Sequence, residues 1–567
     1  MKKIRKSSVP AGTAFLLWGL VFLSAVMMSV PWLVPHCGFM ALFGFIPLLC
    51  MERIASMSGV RRVWVYHFSA FVLWNAFTTF WVSNATVGGG LFAIIANSFQ
   101  MSVIFGLFRF SKRYFRGALP YIFLAVMWIA WERIYFDVDI SWPWLVLGNA
   151  FARSLQSIQW YEFTGTLGGS LWVWTVNLLV FALMVSLSDG SWAFRYNIKA
   201  KAALVSACIV AISAPFILSK YMFDSYEEKS DPVEVLVVQP NIDPYQKFEA
   251  MPQSQQTAIL LDRIEHSIPD RKASGDTSSV SEGSRKENFS PLLVLAPETF
   301  TNDVITNDLS LGRTYRRLVA FLKDYPGVDL LFGASSYTYY DQESAPSYTA
   351  RKIRDGRWIE SHNSALVVDG TGRSEIFHKS KLVVGVEMTP YPAFFCKVDD
   401  MLGGVMGRCV GQDSISLLHC GGIPFGCAVC YESVYGEYFT GYVKEGARFM
   451  TVITNDAWWG NTPGYRQHLS YSSLRAIETR RSIARCANTG ISAIIDQRGI
   501  IREQTPWWEP AVIRSHVNMN DKVTFFVKYG DITGRSCTFI FCLLLLALMV
   551  RMVLQRTAGQ DHSARLR

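Results

Sequence analysis

Long apolar runs separated by short polar loops constrain this chain more than any other feature. Seven fall in the first 220 residues, near 12–33, 37–51, 64–83, 90–108, 118–135, 170–187 and 202–219, and one more lies near 533–554. Most approach the roughly 20 residues that a helix needs to cross a bilayer. The run at 37–51 reaches that length only with flanking residues such as Pro35 and His36. A buried helix of a soluble protein explains any one run, but not seven in succession. Only 17% of the residues are charged, against about a quarter in soluble domains. The expected fold class is an α-helical transmembrane bundle of about eight spans, with a separate domain between the seventh run and the last.

The basic residues orient the bundle. Lys2, Lys3, Arg5 and Lys6 precede the first run; Arg53, Arg61 and Arg62 follow the second; Arg109, Lys112, Arg113 and Arg116 follow the fourth; Arg195, Lys199 and Lys201 precede the seventh. The first–second and third–fourth loops carry no Lys or Arg. The positive-inside rule then places the N-terminus and the tail with Arg551, Arg556, Arg565 and Arg567 in the cytoplasm, and residues 220–532 outside. The net charge of +9 sits beside apolar runs, as membrane flanks do, so no nucleic-acid partner is expected. The first run is long for a signal peptide and lacks a clear small-residue cleavage site, so it is expected to stay as an anchor. Residues 136–169, with Trp142-Pro143-Trp144-Leu145 and Trp160-Tyr161, are too apolar for an ordinary outside loop. An interfacial aromatic belt and a lipid-guiding surface in the outer leaflet fit them equally.

Residues 232–530 change character. Short β-branched runs (Val233–Val238, Leu292–Leu295, Asp329–Phe332, Ala365–Val368, Pro424–Cys430, Phe449–Thr454, Ile491–Asp496) alternate with helical patterns at 253–268, 311–325 and 464–486. That alternation predicts a layered α/β domain. The Ser-, Gly-, Lys- and Glu-rich stretch 272–290 reads as a flexible surface insertion. The expected division is 1–230 for the membrane domain, 231–530 for the extracytoplasmic domain, and 531–567 for a final helix and basic tail.

Three segments carry reactive groups. Glu298 follows the strand pattern at 292–295, Lys379 lies in His378-Lys379-Ser380-Lys381 with Glu387 soon after, and Cys430 ends an apolar strand. Strand ends are where layered α/β folds expose catalytic groups. A buried carboxylate can take the proton of a thiol, and an ammonium can stabilise a thiolate or an oxyanion, so Glu, Lys and Cys form a sufficient set for acyl transfer. Taken singly, each is ordinary: cysteines pack in cores and most Glu and Lys are solvated. Spacing alone does not show that the three meet. Cys427 and Cys430 form one C-x-x-C pair inside an apolar strand; no second pair completes a zinc site.

Further motifs are Ser141-Trp142-Pro143-Trp144, Val238-Gln239-Pro240-Asn241-Ile242, Pro297-Glu298, His362-Asn363-Ser364-Ala365, Cys430-Tyr431-Glu432, Asn455-Asp456-Ala457-Trp458-Trp459-Gly460, Gln467-His468, Arg475-Ala476-Ile477-Glu478 and Asn488-Thr489-Gly490. On these residues the domain resembles the nitrilase superfamily, and the whole chain resembles the apolipoprotein N-acyltransferase family. The resemblance implies an αββα nitrilase-like sandwich with Glu298 as general base, Lys379 as oxyanion stabiliser and Cys430 as nucleophile. Glu387, Tyr431 and Glu432 match residues that support the site, and Asn455 and the aromatics after it would line the pocket. The implied reaction passes an acyl chain from a membrane phospholipid through a Cys thioester to the α-amine of a diacylglyceryl-cysteine on an apolipoprotein. It needs no metal or organic cofactor and is expected on the periplasmic side of a bacterial inner membrane. Two alternatives use the same sequence features: a membrane-tethered nitrilase-type amidase, and a non-catalytic lipid-binding or transport protein.

The family pattern fails at two places. Leu382-Val383-Val384-Gly385-Val386-Glu387 stands where the family has Leu-Val-Pro-Phe-Gly-Glu, and Phe248 stands after Lys247 where it has tryptophan. Both changes bear on donor and acceptor preference more than on reaction type. In the insertion at 396–420, a disulfide among Cys396, Cys409 and Cys420 and three unpaired thiols both fit the sequence.

Overall fold

The computed structural model describes residues 10–188, 198–244, 247, 250–273, 290–401 and 404–565. The basic N-terminus, Arg195, Phe248 and most of the 272–290 insertion lie outside them. The chain divides into two compact units. One comprises Met1–Val138, Trp142–Asp224 and Asp531–Arg567; the other comprises Asp139–Ser141 and Ser225–Gly530.

In the first unit every apolar run contains helix. Among the described residues six stretches are long and apolar enough to cross a membrane: Ala11–Leu33, Gly38–Met57, Val87–Ser111, Tyr161–Leu187, Ile198–Ser225 and Ile532–Thr557. The third and fifth runs give shorter helices, Val63–Thr79 and Leu119–Tyr135, of 17 residues each. At 1.5 Å per residue these reach about 25 Å, short of a hydrocarbon core of about 30 Å. The apolar segment after Tyr135 is a finding of its own. It folds into short 3₁₀ turns, Pro143–Leu145, Leu147–Phe151 and Leu155–Ser157. Trp144 is 1% and Leu147 0% exposed, so much of this segment is packed inside the unit; an interfacial belt or a guiding surface would present those side chains. Buried Glu132 holds the segment by accepting from Leu147 N and Trp128 Nε1.

The second unit holds two sheets. The first contains β1 (Pro232–Gln239), β2 (Leu292–Leu295), β3 (Thr301–Ile305), β4 (Val328–Tyr340), β5 (Arg351–Lys352), β6 (Trp358–Asp369), β7 (Ser374–His378) and β14 (Ala511–Asn518), in order β14-β1-β2-β4-β6-β5, with β3 on β4 and β7 on β6. The second contains β8 (Leu418–Cys420), β9 (Ile423–Val429), β10 (Phe449–Thr454), β11 (Ile483–Ala487), β12 (Ala493–Ile495) and β13 (Ile501–Gln504), in order β13-β12-β11-β10-β9-β8. Alternation along the strands decides the layers. Val233, Val235, Val237, Leu293 and Leu295 face β9–β11 in one core. Leu236, Val238, Leu292 and Val294 face the helices Gln253–Ser267 and Arg313–Leu322 in another. Phe439, Tyr442, Leu469 and Ala476 cover the far side of the second sheet from Gly436–Lys444 and Pro463–Thr479. The layers are thus helix, sheet, sheet, helix, the nitrilase-like sandwich.

One sequence expectation fails here. The helix predicted over 464–486 stops at Thr479, because Arg480 takes a left-handed cap at φ 51°. The chain then enters β11, a strand the helical pattern had absorbed. Cys396, Cys409 and Cys420 are free thiols.

Candidate active site

The central strands β1, β2 and β4 run parallel in one sheet, and β9, β10 and β11 run parallel in the other. Glu298, Cys430 and Asn455 sit just beyond the C-terminal ends of β2, β9 and β10, and Lys379 just beyond β7. The fold therefore joins groups that lie far apart in sequence. Lys379 Nζ lies 3.2 Å from Glu298 Oε1 and 2.9 Å from Glu387 Oε1. Asn363 Nδ2 donates to the same two oxygens, at 2.7 Å each. Glu298 Oε2 accepts from Asn455 N at 3.1 Å. Glu298 and Lys379 are 6% and 1% exposed.

Close backbone approach sets the position of Glu298. A Cβ on Gly333 would fall 2.5 Å from Glu298 Cα, so only glycine admits this turn beside β4. The next residue, Thr299, has φ 47°, and its carbonyl accepts from buried Lys247 Nζ. Burial pulls Lys247 down to about 8 against the opposing pull of Glu298. Cys430 also adopts a left-handed φ, 53°, opening the 3₁₀ turn Cys430–Val434. A side chain held there marks a site over-determined by its surroundings.

The charges follow from burial. Burial opposes the Lys379 ammonium, but Glu298 and Glu387 outweigh it and hold its pKa well above the ordinary lysine value. Burial, then the Glu298 carboxylate, push the Cys430 thiol well above its ordinary value, with Lys379 opposing. Glu298 and Lys379 thus act on the charge of Cys430 in opposite directions, the carboxylate favouring the thiol and the ammonium the thiolate.

The supporting residues divide. Glu387 belongs to the charge cluster. Its Oε2 accepts from Val383 N at 2.7 Å, and Gly385, at φ 81°, turns the altered loop so that the glutamate still reaches Lys379. Glu432 is fully buried and caps backbone: it accepts from Ser380 N, Lys381 N and Val429 N, and from the Tyr438 hydroxyl. Burial raises it to about 7. It thereby ties the strand behind Cys430 to the segment carrying Lys379. Tyr431 donates its hydroxyl to the Ser141 carbonyl at 3.2 Å. Cys427 is 1% exposed among core residues. Asn363 is a member of the cluster that reasoning on reactive side chains passed over; its signal is the motif His362-Asn363-Ser364-Ala365. Its place follows from the β6–β7 pairing, where Lys379 N donates to Asn363 O at 2.8 Å.

The model of the apolipoprotein N-acyltransferase N-terminal domain matches residues 24–179, and that of carbon-nitrogen hydrolases matches residues 344–522, together more than half the chain. The second match includes Lys379, Glu387 and Cys430; Glu298 lies before it. The apolipoprotein N-acyltransferase of Chlorobaculum tepidum is 27% identical over 94% of this chain and 96% of its own. That of Geobacter metallireducens is 27% identical over 74% and 73%, and that of Thermotoga maritima 30% identical over 45% and 50%.

Proposed function

The chain belongs to the apolipoprotein N-acyltransferase family, and we propose that it moves an acyl chain from a membrane phospholipid, through a thioester on Cys430, to the α-amine of the diacylated N-terminal cysteine of an apolipoprotein. The observation that carries this reading is the buried Lys379 ammonium between Glu298 and Glu387, whose charge acts on a cysteine held in a left-handed turn. In the first half-reaction the Cys430 proton passes to Glu298 as Sγ attacks the ester carbonyl. Lys379 faces the oxyanion. The carbon–oxygen bond then breaks, and Glu298 returns the proton to the departing lysophospholipid. In the second half the acceptor amine attacks the thioester, loses its proton to Glu298, and the thiol leaves reprotonated. Glu387 holds Lys379 and Asn363 in place, Glu432 fixes the backbone on both sides, and Asn455 anchors Glu298 and borders the pocket. Splitting the transfer through a covalent intermediate permits ping-pong kinetics.

This reading assigns residues 1–230 and 531–567 to a bacterial inner membrane and residues 231–530 to its periplasmic side. Confinement of enzyme and both lipid-anchored substrates to one leaflet raises their effective concentration. The carbon-nitrogen hydrolase match favours one rival, a tethered amidase. One experiment separates them. Enzyme supplied with phospholipid and no amine should hold an acyl group on Cys430 that hydroxylamine releases and a diacylated lipopeptide discharges. Folded enzyme that takes no acyl group from any phospholipid yet hydrolyses small amides is the amidase.

A further inference from the structure

The catalytic cluster does not explain what keeps Cys430 in its left-handed conformation. Its carbonyl oxygen accepts two hydrogen bonds, from Ser433 Oγ at 2.8 Å and from His468 Nε2 at 3.0 Å. His468 projects from the helix Pro463–Thr479. Its other nitrogen, Nδ1, lies 2.9 Å from Asp456 Oδ1 and 3.2 Å from Arg485 Nη2. Asp456 begins the turn beyond β10; its Oδ2 accepts from Arg485 on β11 at 2.6 Å, and its Oδ1 from Thr454 Oγ1 at 2.8 Å. The side chains of His468, Asp456 and Arg485 are all 0% exposed. Gly490 leaves room for the carboxylate, since a Cβ there would fall 2.9 Å from Asp456 Oδ2.

A buried carboxylate paired with an arginine and aimed at one imidazole nitrogen fixes the orientation of that ring. The other nitrogen is then aimed at the carbonyl of the reacting cysteine. We propose that His468, held by Asp456 and Arg485, is a positioning residue that locks the Cys430 carbonyl and so aims Sγ at the substrate ester. This rests on the thioester reading above. Its action runs through the main chain of the nucleophile. Arg485 escapes sequence reasoning because it lies inside the stretch read as helix, and His468 appears only as part of the motif Gln467-His468.

The test uses full-length enzyme with phosphatidylethanolamine–phosphatidylglycerol vesicles, and in parallel a p-nitrophenyl acyl ester. The readouts are single-turnover acylation of Cys430, the p-nitrophenolate burst and the melting temperature. His468→Leu should slow both acylations about 100-fold, the scale of a 1 Å misplacement of a reacting group, with KM little changed. His468→Gln, whose amide nitrogen reaches the place of Nε2, should recover to within about tenfold of native. Asp456→Asn should lie between them. His468→Leu within about twofold of native overturns the proposal. So does an equal loss in His468→Leu and His468→Gln with equally lowered melting temperatures, which marks a structural residue only. Should His468→Leu fail to fold, a folded Asp456→Asn with an unchanged burst overturns it as well. A native burst that depends on His468 without acyl uptake from vesicles removes the phospholipid donor and leaves the positioning role standing.

Discussion

Glu298 and Glu387 share two donors: Lys379 Nζ and Asn363 Nδ2 each bridge the two carboxylates. One buried and one half-buried carboxylate held by one ammonium and one amide form a unit, so their substitutions should not add. Lys379→Met should slow Cys430 acylation about 10³-fold, as loss of an oxyanion donor and of the charge that holds the carboxylates. Asn363→Ala should slow it about 10-fold to 100-fold, and a double-mutant cycle between Asn363 and Glu387 should show coupling of about 1 kcal/mol or more. Additive effects would show that the two carboxylates act independently.

Glu432 gives a pH prediction. Burial raises its carboxyl to about 7 from an ordinary 4.5, so between those values the folded protein keeps a proton that the unfolded chain has released. Stability from this group is full below 4.5 and is lost as pH rises through 7. The advantage of the native protein over Glu432→Gln should therefore shrink from pH 5 to pH 8, by up to about 3 kcal/mol. Melting curves that stay parallel across that range would refute the assignment.

Gly333→Ala tests how the proposed base is placed. The added carbon meets the Glu298 main chain, not a side chain that can turn aside. Overpacking of this kind costs about 1–3 kcal/mol. Acylation should fall by more than the change in melting temperature explains, and a native rate would show that Glu298 tolerates the shift.

Cys427→Ala should still accept the acyl group, since that thiol packs in the core at 1% exposure. The cost should be in stability, about 1 kcal/mol for a small cavity. Cys430→Ala should abolish labelling. Labelling that moves to Cys427 would reverse the two roles.

The charge pattern makes a prediction about orientation. A reporter fused after residue 230 should be active only outside the cytoplasm, and fusions at 58–62 or 112–118 only inside. The opposite result at 230 would place the second unit in the cytoplasm and remove its access to exported lipoproteins.

Much of this was legible in the sequence, for definite reasons. Glu298, Lys379 and Cys430 stand at strand ends, and strands such as 233–238 and 449–454 declare themselves by β-branched runs. Bundle helices declare themselves by length. Strand β11 did not, because Ile483–Ala487 continues the pattern of the preceding helix and only the backbone at Arg480 breaks it. Asn363 did not, because its importance comes from pairing of β6 with β7 and not from its own reactivity. The buried 3₁₀ segment after Tyr135 read as a surface because apolar content does not say which side of a helix bundle it will fill.

A final consequence lies in the state of Lys379. An enzyme that stores an activated acyl group keeps an amine within reach of it, and a free amine there would be acylated in place of the true acceptor, ending the enzyme's working life after few turnovers. The two flanking carboxylates keep the Lys379 nitrogen protonated and its lone pair engaged. On the thioester reading, the same ion pairs that stabilise charge also make this lysine chemically mute, so that the incoming amine meets no competitor from the protein itself.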